Sequence, residues 1–598
     1  MSVMPLFDAN QRASLDLFHR TYHALLRSSG EIQIQALVEP YLASEASLHE
    51  GALEEQPDLS ALIYTSLRLS DAISKVRLLL LGQSNEVFAR HGYGDVQNWQ
   101  QVSAPGRRRK MFFDGRETLA VLIASPSDLD DLIPMLVAYQ IEWNKIHKLL
   151  RSSPKAAQIE QFLFEASEAP IQANEGWNDL RDALKLEQRD LERLSATWRS
   201  ALPQQLLAMA RQHKRFAVRM LGGSFMDYQR ATLRWWWHIE DSTKEIDLSQ
   251  RPVYFVSSNT HSLINIMSGF ALRNTGELLS FLDQPQHAAL RAEHERIVAE
   301  EVPSSRENFF YYVQKKYQAD PSSRDYFERR AKEEEALGIL RIPSRFYVDV
   351  DSQIFDLGKL DPNLMDPRLQ IPGIEKLRES DALILNIDYP LGLAAYNILT
   401  IVGRSVGEMR GVYVIGKAAT LNGKIGDVLI PNAVFDEHTG NTYMFANCFM
   451  AADVEPYLVY GSVLDNQRAL TVRGTFLQNR AFLQALHREF ITDIEMEAGP
   501  YLSAIYEQTF PDRTPHNEVI SFLRLPYDVG FMHYASDTPA SKGQNLGSQN
   551  LSYFGMDPTY ATALAVARRI LEQEVQRLEN KKPTTWRRDD PPPLPSGR

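Results

Sequence analysis

Asp493-Ile494-Glu495-Met496-Glu497-Ala498 reads as the end of a buried strand running into a helix. In a strand, Glu495 and Glu497 share one face and Met496 points to the other. Carboxylates are seldom buried without partners. In open α/β sheets, ligands bind at the carboxyl ends of strands. A vicinal diol, such as the 2′- and 3′-hydroxyls of ribose, suits such a site, because a carboxylate accepts two hydroxyl hydrogen bonds at once. The same residues also read as a plain helix start, with acids at the positive end of the dipole. The surrounding chain has to decide.

Outward from this stretch, short apolar runs at 252–256, 346–350, 382–387, 411–416, 428–431, 469–473, 491–495, 519–525 and 530–535 read as strands, several alternating with helices. The pattern predicts an α/β domain, partly parallel, with strand ends gathered at one edge. Residues 275–340 are charged and helical and read as an insertion or lid. An amphipathic helix over 560–578 closes the domain, and the proline-rich tail 581–598 is expected to be disordered.

Before residue 245 the pattern is different. Leu15, Leu17, Phe18, Tyr22 and Leu25 recur at helical spacing, and 62–81, 129–150 and 157–220 repeat it. The expectation is an all-α N-terminal domain over 1–245, of unknown role, followed by an α/β domain over 246–580. The basic run Pro105-Gly106-Arg107-Arg108-Arg109-Lys110 could touch phosphate, but a solvated loop is the preferred reading. Trp235-Trp236-Trp237 reads as a domain interface.

Composition narrows the function classes. A chain of 598 residues is long enough for two or three domains. A net charge of −12 argues against a broad nucleic-acid surface. One cysteine, Cys448, excludes intramolecular disulfides and cysteine-rich zinc sites. The histidines form no HExxH-like pair, so neither metal nor cofactor is expected. The N-terminus lacks a secretory pattern. The most apolar long window, 382–402, is broken by Asp388, Pro390 and glycines, so no membrane span and a cytoplasmic location are expected.

Three segments in order resemble the nucleoside phosphorylase and nucleosidase superfamily, which includes purine nucleoside phosphorylases, methylthioadenosine nucleosidases and AMP nucleosidases. The turn and strand over 416–431 are similar to the family's glycine-rich turn with its Gly-Asp and apolar-Pro run. Glu495-Met496-Glu497-Ala498 resembles its Glu-Met-Glu signature, and Ala535-Ser536-Asp537 resembles its Ser-Asp strand end. The resemblance covers the C-terminal half and implies a nucleoside-phosphorylase-like mixed sheet flanked by helices. It also implies a small-molecule nucleoside or nucleotide substrate, phosphate as a possible second substrate, and a homo-oligomer. Glu497, with Glu495 beside it, would hold the ribose hydroxyls, and Met496 would pack against the sugar. Asp537 would protonate or hydrogen-bond purine N7, oriented by Ser536. Phe476 would stack on the base.

The chemistry fits those roles. Breaking an N-ribosidic bond leaves an oxocarbenium-like sugar and a negative purine, so the base needs a proton donor and the sugar a fixed negative group. The departures lie on the nucleophile side. Lys417 stands where the family places small hydroxyl residues; a lysine there could bind phosphate as a point charge or obstruct the nucleophile. Ser258 and His261, in the polar loop after the strand at 252–256, are the other candidates, with His261 as a possible base. No arginine pair of the phosphorylase type and no water-activating acid is evident. The segment after Asp537, Thr538-Pro539-Ala540-Ser541-Lys542-Gly543-Gln544, loosely resembles an AMP nucleosidase loop. Two functions follow: N-glycosidic cleavage of a purine nucleoside or nucleotide, or a degenerate nucleotide-binding sensor using the same pocket.

Overall fold

The computed structural model describes residues 9–28, 30–166, 175–301, 305–522, 524–539 and 555–580. The tail 581–598 and the loop at 541–544 lie outside the described residues.

The N-terminal part is rich in helix, but it is not all-helical. Through it runs a six-stranded sheet of β1 (Ile32–Gln33), β2 (Leu78–Gly82), β3 (Gln100–Ala104), β4 (Arg107–Phe113), β5 (Thr118–Leu122) and β6 (Ala217–Met220), in the order β1-β6-β2-β5-β4-β3. β2 lies parallel to both β5 and β6. Its sequence, Leu78-Leu79-Leu80-Leu81-Gly82, is buried almost throughout. A strand covered on both faces shows no alternation, and its apolar run looks like buried helix. The helices Ala9–Ser28 and Pro126–Ser152 pack on this sheet in one apolar cluster that includes Phe18, Tyr22, Tyr139 and Trp143.

The basic run is strand, not solvated loop. In β4 the burial alternates so that Arg109, Met111 and Phe113 point inward. Arg109 is tolerated there because Asp128 and Asp131 both bond its guanidinium at 2.9 Å. A buried charge needs that kind of pairing.

The C-terminal part is α/β. Among the described residues, an eleven-stranded sheet contains β7 (Pro252–Ser258), β8 (Ile339–Ile342), β9 (Ser352–Asp356), β10 (Leu383–Asp388), β11 (Glu408–Thr420), β12 (Val428–Asp436), β13 (Thr442–Phe445), β14 (Val463–Thr471), β15 (Asp493–Glu495), β16 (Val519–Phe522) and β17 (Asp528–Asp537). β10, β7, β11 and β17 run parallel in that order. The pairs β17–β12, β12–β14, β14–β15 and β15–β11 then close a barrel. The carboxyl ends of the parallel strands, with Asp388 and Asp537 as their last residues, therefore gather at one rim.

Residues 346–350, expected as a strand, are irregular; the strand in this region is β9. The region expected as an insertion folds into the helices Thr275–Leu282, Ala288–Val298, Arg306–Tyr317 and Arg324–Ala336, and Phe309, Tyr311, Tyr317 and Tyr326 pack with Tyr560, Leu564 and Ile570 of the helix Met556–Asn580. Trp235 and Trp236 are buried against the second sheet, where Trp235 Nε1 donates to Val350 O at 2.8 Å. Trp237 is exposed. The triple tryptophan is thus mainly an internal contact. No helix among the described residues is long and apolar enough to cross a membrane.

Candidate functional site

A cavity of about 410 Å³ opens at the barrel rim, and its walls come from both halves of the chain. The C-terminal half contributes Lys417, Glu495, Met496, Glu497, Ser536 and Asp537. The N-terminal half contributes Tyr64, Arg68 and Arg107 to Lys110.

Glu495 and Glu497 differ in what they do. Glu495 ends β15 and is 4% exposed. Its Oε2 accepts from the backbone N–H of Glu497 and of Ala498, both at 2.6 Å, and its Oε1 accepts from the Thr471 hydroxyl. It therefore caps the helix Ala498–Thr509, using the positive end of that helix. These three bonds make Glu495 the group that fixes the turn, a role the sequence did not reveal, while its residue also lines the cavity. Glu497 sits at the N-cap but makes no cap bond, so its carboxylate is directed into the cavity. There Oε1 accepts from Gly392 N at 2.9 Å. Burial raises its pKa; the Gly392 N–H and the charge of Arg107 oppose the rise. Gly392 has φ +53, and a Cβ there would stand 2.3 Å from Ser127 Oγ. Only glycine both takes this turn and lets the loop close on the N-terminal half.

Asp537 is the last residue of β17 and lines the same cavity. Ser536 Oγ lies 2.9 Å from Asp537 Oδ2 and 3.3 Å from Ala418 O. Lys417, on β11, lines the cavity with an exposed side chain.

Three expected site residues lie elsewhere. Phe476 is 1% exposed and belongs to the N-terminal apolar cluster, with its ring 5.5 Å from Tyr64 and 6.5 Å from Tyr41. It docks the two halves instead of facing a base; the aromatic rings that line the cavity are Tyr64, Tyr347 and Tyr389. Ser258 is fully buried and bonds Asn386 Oδ1 at 2.7 Å. His261 is outside the cavity lining, and burial, with nearby Lys315, Arg330 and Lys417, pulls its pKa down to about 3. A histidine that weakly basic is a poor proton acceptor near neutrality.

The N-terminal wall had no catalytic look in the sequence. Arg107 pairs with Asp131 at 2.6 Å, yet its Nε is buried without a partner. Arg108 reaches Asp388 and lies 2.9 Å from Asp351. Arg68 lies 3.5 Å above the Tyr64 ring. The one available sequence signal was the run Arg107 to Lys110 itself, whose alternation with Met111 and Phe113 marks a strand.

Behind the cavity, His533 Nδ1 is 2.7 Å from Asp493 Oδ2. Burial lowers the His533 pKa, but Asp493, with Glu495 and Glu497, outweighs this and lifts it to about 9. Burial pushes Glu495 up to about 8, opposed by His533 and assisted by Glu497. Both groups hold protons more tightly folded than unfolded. Their contribution is complete below their unfolded values, near 6.5 for the histidine and 4.5 for the glutamate, and is lost as pH climbs through 8 to 9. Denaturation between pH 6 and 9.5 should show stability falling as pH rises, with His533 and Glu495 both contributing. In His533→Gln the profile should flatten above pH 6.5; an unaltered slope would show that the proton is held elsewhere.

Fold and site together define a two-part α/β protein with an acid-lined cavity at a barrel rim, closed by arginines from the other part. Residues 34–572 match the model of a family of unknown function, DUF6909, and the chain belongs to that family. No curated protein matches it. Similar solved structures include a Campylobacter jejuni 5′-methylthioadenosine/S-adenosylhomocysteine nucleosidase, at 11% identity and TM-score 0.27, covering 40% of this chain and 92% of that one. Isoform 2 of Schistosoma mansoni uridine phosphorylase, at 11% identity and TM-score 0.29, covers 55% and 91%. A Neisseria meningitidis nucleosidase in complex with methylthio-immucillin-A, at 10% and 0.27, covers 54% and 99%. Scores this low carry no argument about the activity of this chain.

Proposed function

We propose that the chain cleaves the N-glycosidic bond of a purine nucleoside or nucleotide in this cavity, with 246–580 as the catalytic domain and 1–245 supplying one wall. The observation that carries the reading is that Met496, Glu497, Ser536 and Asp537, brought in by separate strands, line one cavity together with Lys417. Glu497 holds the ribose 2′- and 3′-hydroxyls, and its backbone is fixed by Glu495. Met496 packs on the sugar. As the C1′–N9 bond breaks, its electron pair passes to the purine, and Asp537, oriented by Ser536, delivers a proton to N7. Water or phosphate then takes the sugar carbon. Lys417 provides the positive charge for an anion, either the 5′-phosphate of a nucleotide or inorganic phosphate.

Free base is measured by chromatography after incubation with AMP, adenosine, inosine and methylthioadenosine, each with and without phosphate. Release from at least one supports the reading; none from any of them at enzyme-level concentrations sinks it. Lys417→Ala separates the anion roles. Loss on nucleotides with nucleosides spared assigns Lys417 to a 5′-phosphate. Loss of phosphate dependence assigns it to the acceptor. If neither changes, Lys417 binds no anion there. The same reading places the chain in a homo-oligomer, which light scattering at micromolar concentration checks; a strict monomer removes it.

A further inference from the structure

The helix Ala9–Ser28 carries His19 and His23 four residues apart, which puts both rings on one helical face. Opposite them is Asp130 of the helix Pro126–Ser152. His23 Nε2 lies 2.7 Å and His19 Nε2 3.3 Å from the same oxygen, Asp130 Oδ1. Tyr22 OH donates to that oxygen as well, at 2.7 Å. One ligand atom from each of the three residues falls within 4.8 Å of the others. The Asp130 carboxylate is buried, whereas the histidine side chains are 18% and 20% exposed.

We propose that His19, His23 and Asp130 form a binding site for one divalent transition-metal ion of the zinc or cobalt class, with a remaining position for water. Two imidazoles and a carboxylate are the donor set that zinc favours over magnesium or calcium. At metal–ligand bonds of about 2.0–2.1 Å, tetrahedral ligand atoms stand roughly 3.3 Å apart. The His19–Asp130 separation already has this value. The His23 ring needs to withdraw only about 0.6 Å to match it. As it stands, Asp130 Oδ1 faces three neighbours that can donate, more than its two lone pairs accommodate. An ion replaces the two imidazole contacts and leaves Tyr22 as the single donor orienting the carboxylate. The site does not depend on the proposed activity. It would tie the helix Ala9–Ser28 to the helix Pro126–Ser152 beside Gly474, whose backbone packs on Asp130 so closely that a Cβ would lie 2.6 Å from its carbonyl oxygen.

The test uses the full chain, stripped with chelator and titrated with cobalt(II), then competed with zinc(II). One equivalent of cobalt with the intense visible bands of tetrahedral coordination is expected, displaced by zinc, together with a rise in melting temperature. His19→Ala and His23→Ala should each weaken zinc affinity at least ~10-fold while the metal-free melting temperature stays close to wild type for His19→Ala. Asp130→Asn should do the same, and the histidine variants keep the test decisive if it fails to fold. Absence of tetrahedral cobalt bands, or bands that persist in a His19→Ala/His23→Ala double variant, would overturn the proposal and leave Asp130 as a shared hydrogen-bond acceptor.

Discussion

Asp537→Asn should lose turnover by ~10²- to 10⁴-fold while substrate binding survives, because the amide keeps a hydrogen bond to N7 but has no proton to deliver. The side chain ends β17 at the rim, and Ser536 Oγ lies 2.9 Å from its Oδ2, so the isosteric change leaves the surroundings in place. The measurement is kcat and KM on whichever substrate releases base, with a direct binding assay alongside. Turnover at the wild-type level would end the acid assignment, whatever the fold. Unchanged binding with lost turnover is the signature of an interaction made only in the transition state.

Glu497→Ala should lower binding and turnover together. Each hydrogen bond to a charged group is worth about 1.5–3 kcal/mol, so losing two ribose contacts should reduce kcat/KM by roughly 10²- to 10⁴-fold. The variant also removes the acceptor for the Gly392 N–H and the negative charge near Arg107. Glu497→Gln controls for that, since its amide oxygen still reaches Gly392 while the charge is gone. The two variants should be compared on ribosides and 2′-deoxyribosides. If Glu497 grips the 2′-hydroxyl, deoxyribosides lose less than ribosides; equal losses would place Glu497 away from the 2′-hydroxyl.

Periodicity along the chain determined the α/β class of the C-terminal half, because alternation and apolar runs are local properties of strands such as β7, β10 and β17. The position of Asp537 at a strand end, and of Glu497 just past one, was legible for the same reason. Other features depended on partners far along the chain. Leu78 to Leu81 read as helix because the helices and strands that cover both faces of β2 are remote in sequence. Arg107 to Lys110 read as surface because the aspartates that compensate Arg109, at 128 and 131, lie on another element. The resemblance assigned Phe476 to base stacking, but burial beside Tyr41 and Tyr64 places it in the N-terminal core. Glu495 and Glu497 are equivalent as letters in a strand. The turn into the helix Ala498–Thr509 separates them: two backbone N–H groups and the Thr471 hydroxyl engage Glu495, while Glu497 stays directed into the cavity. Which carboxylate is free to bind is set by three-dimensional competition for hydrogen-bond donors, and that only the tertiary structure decides.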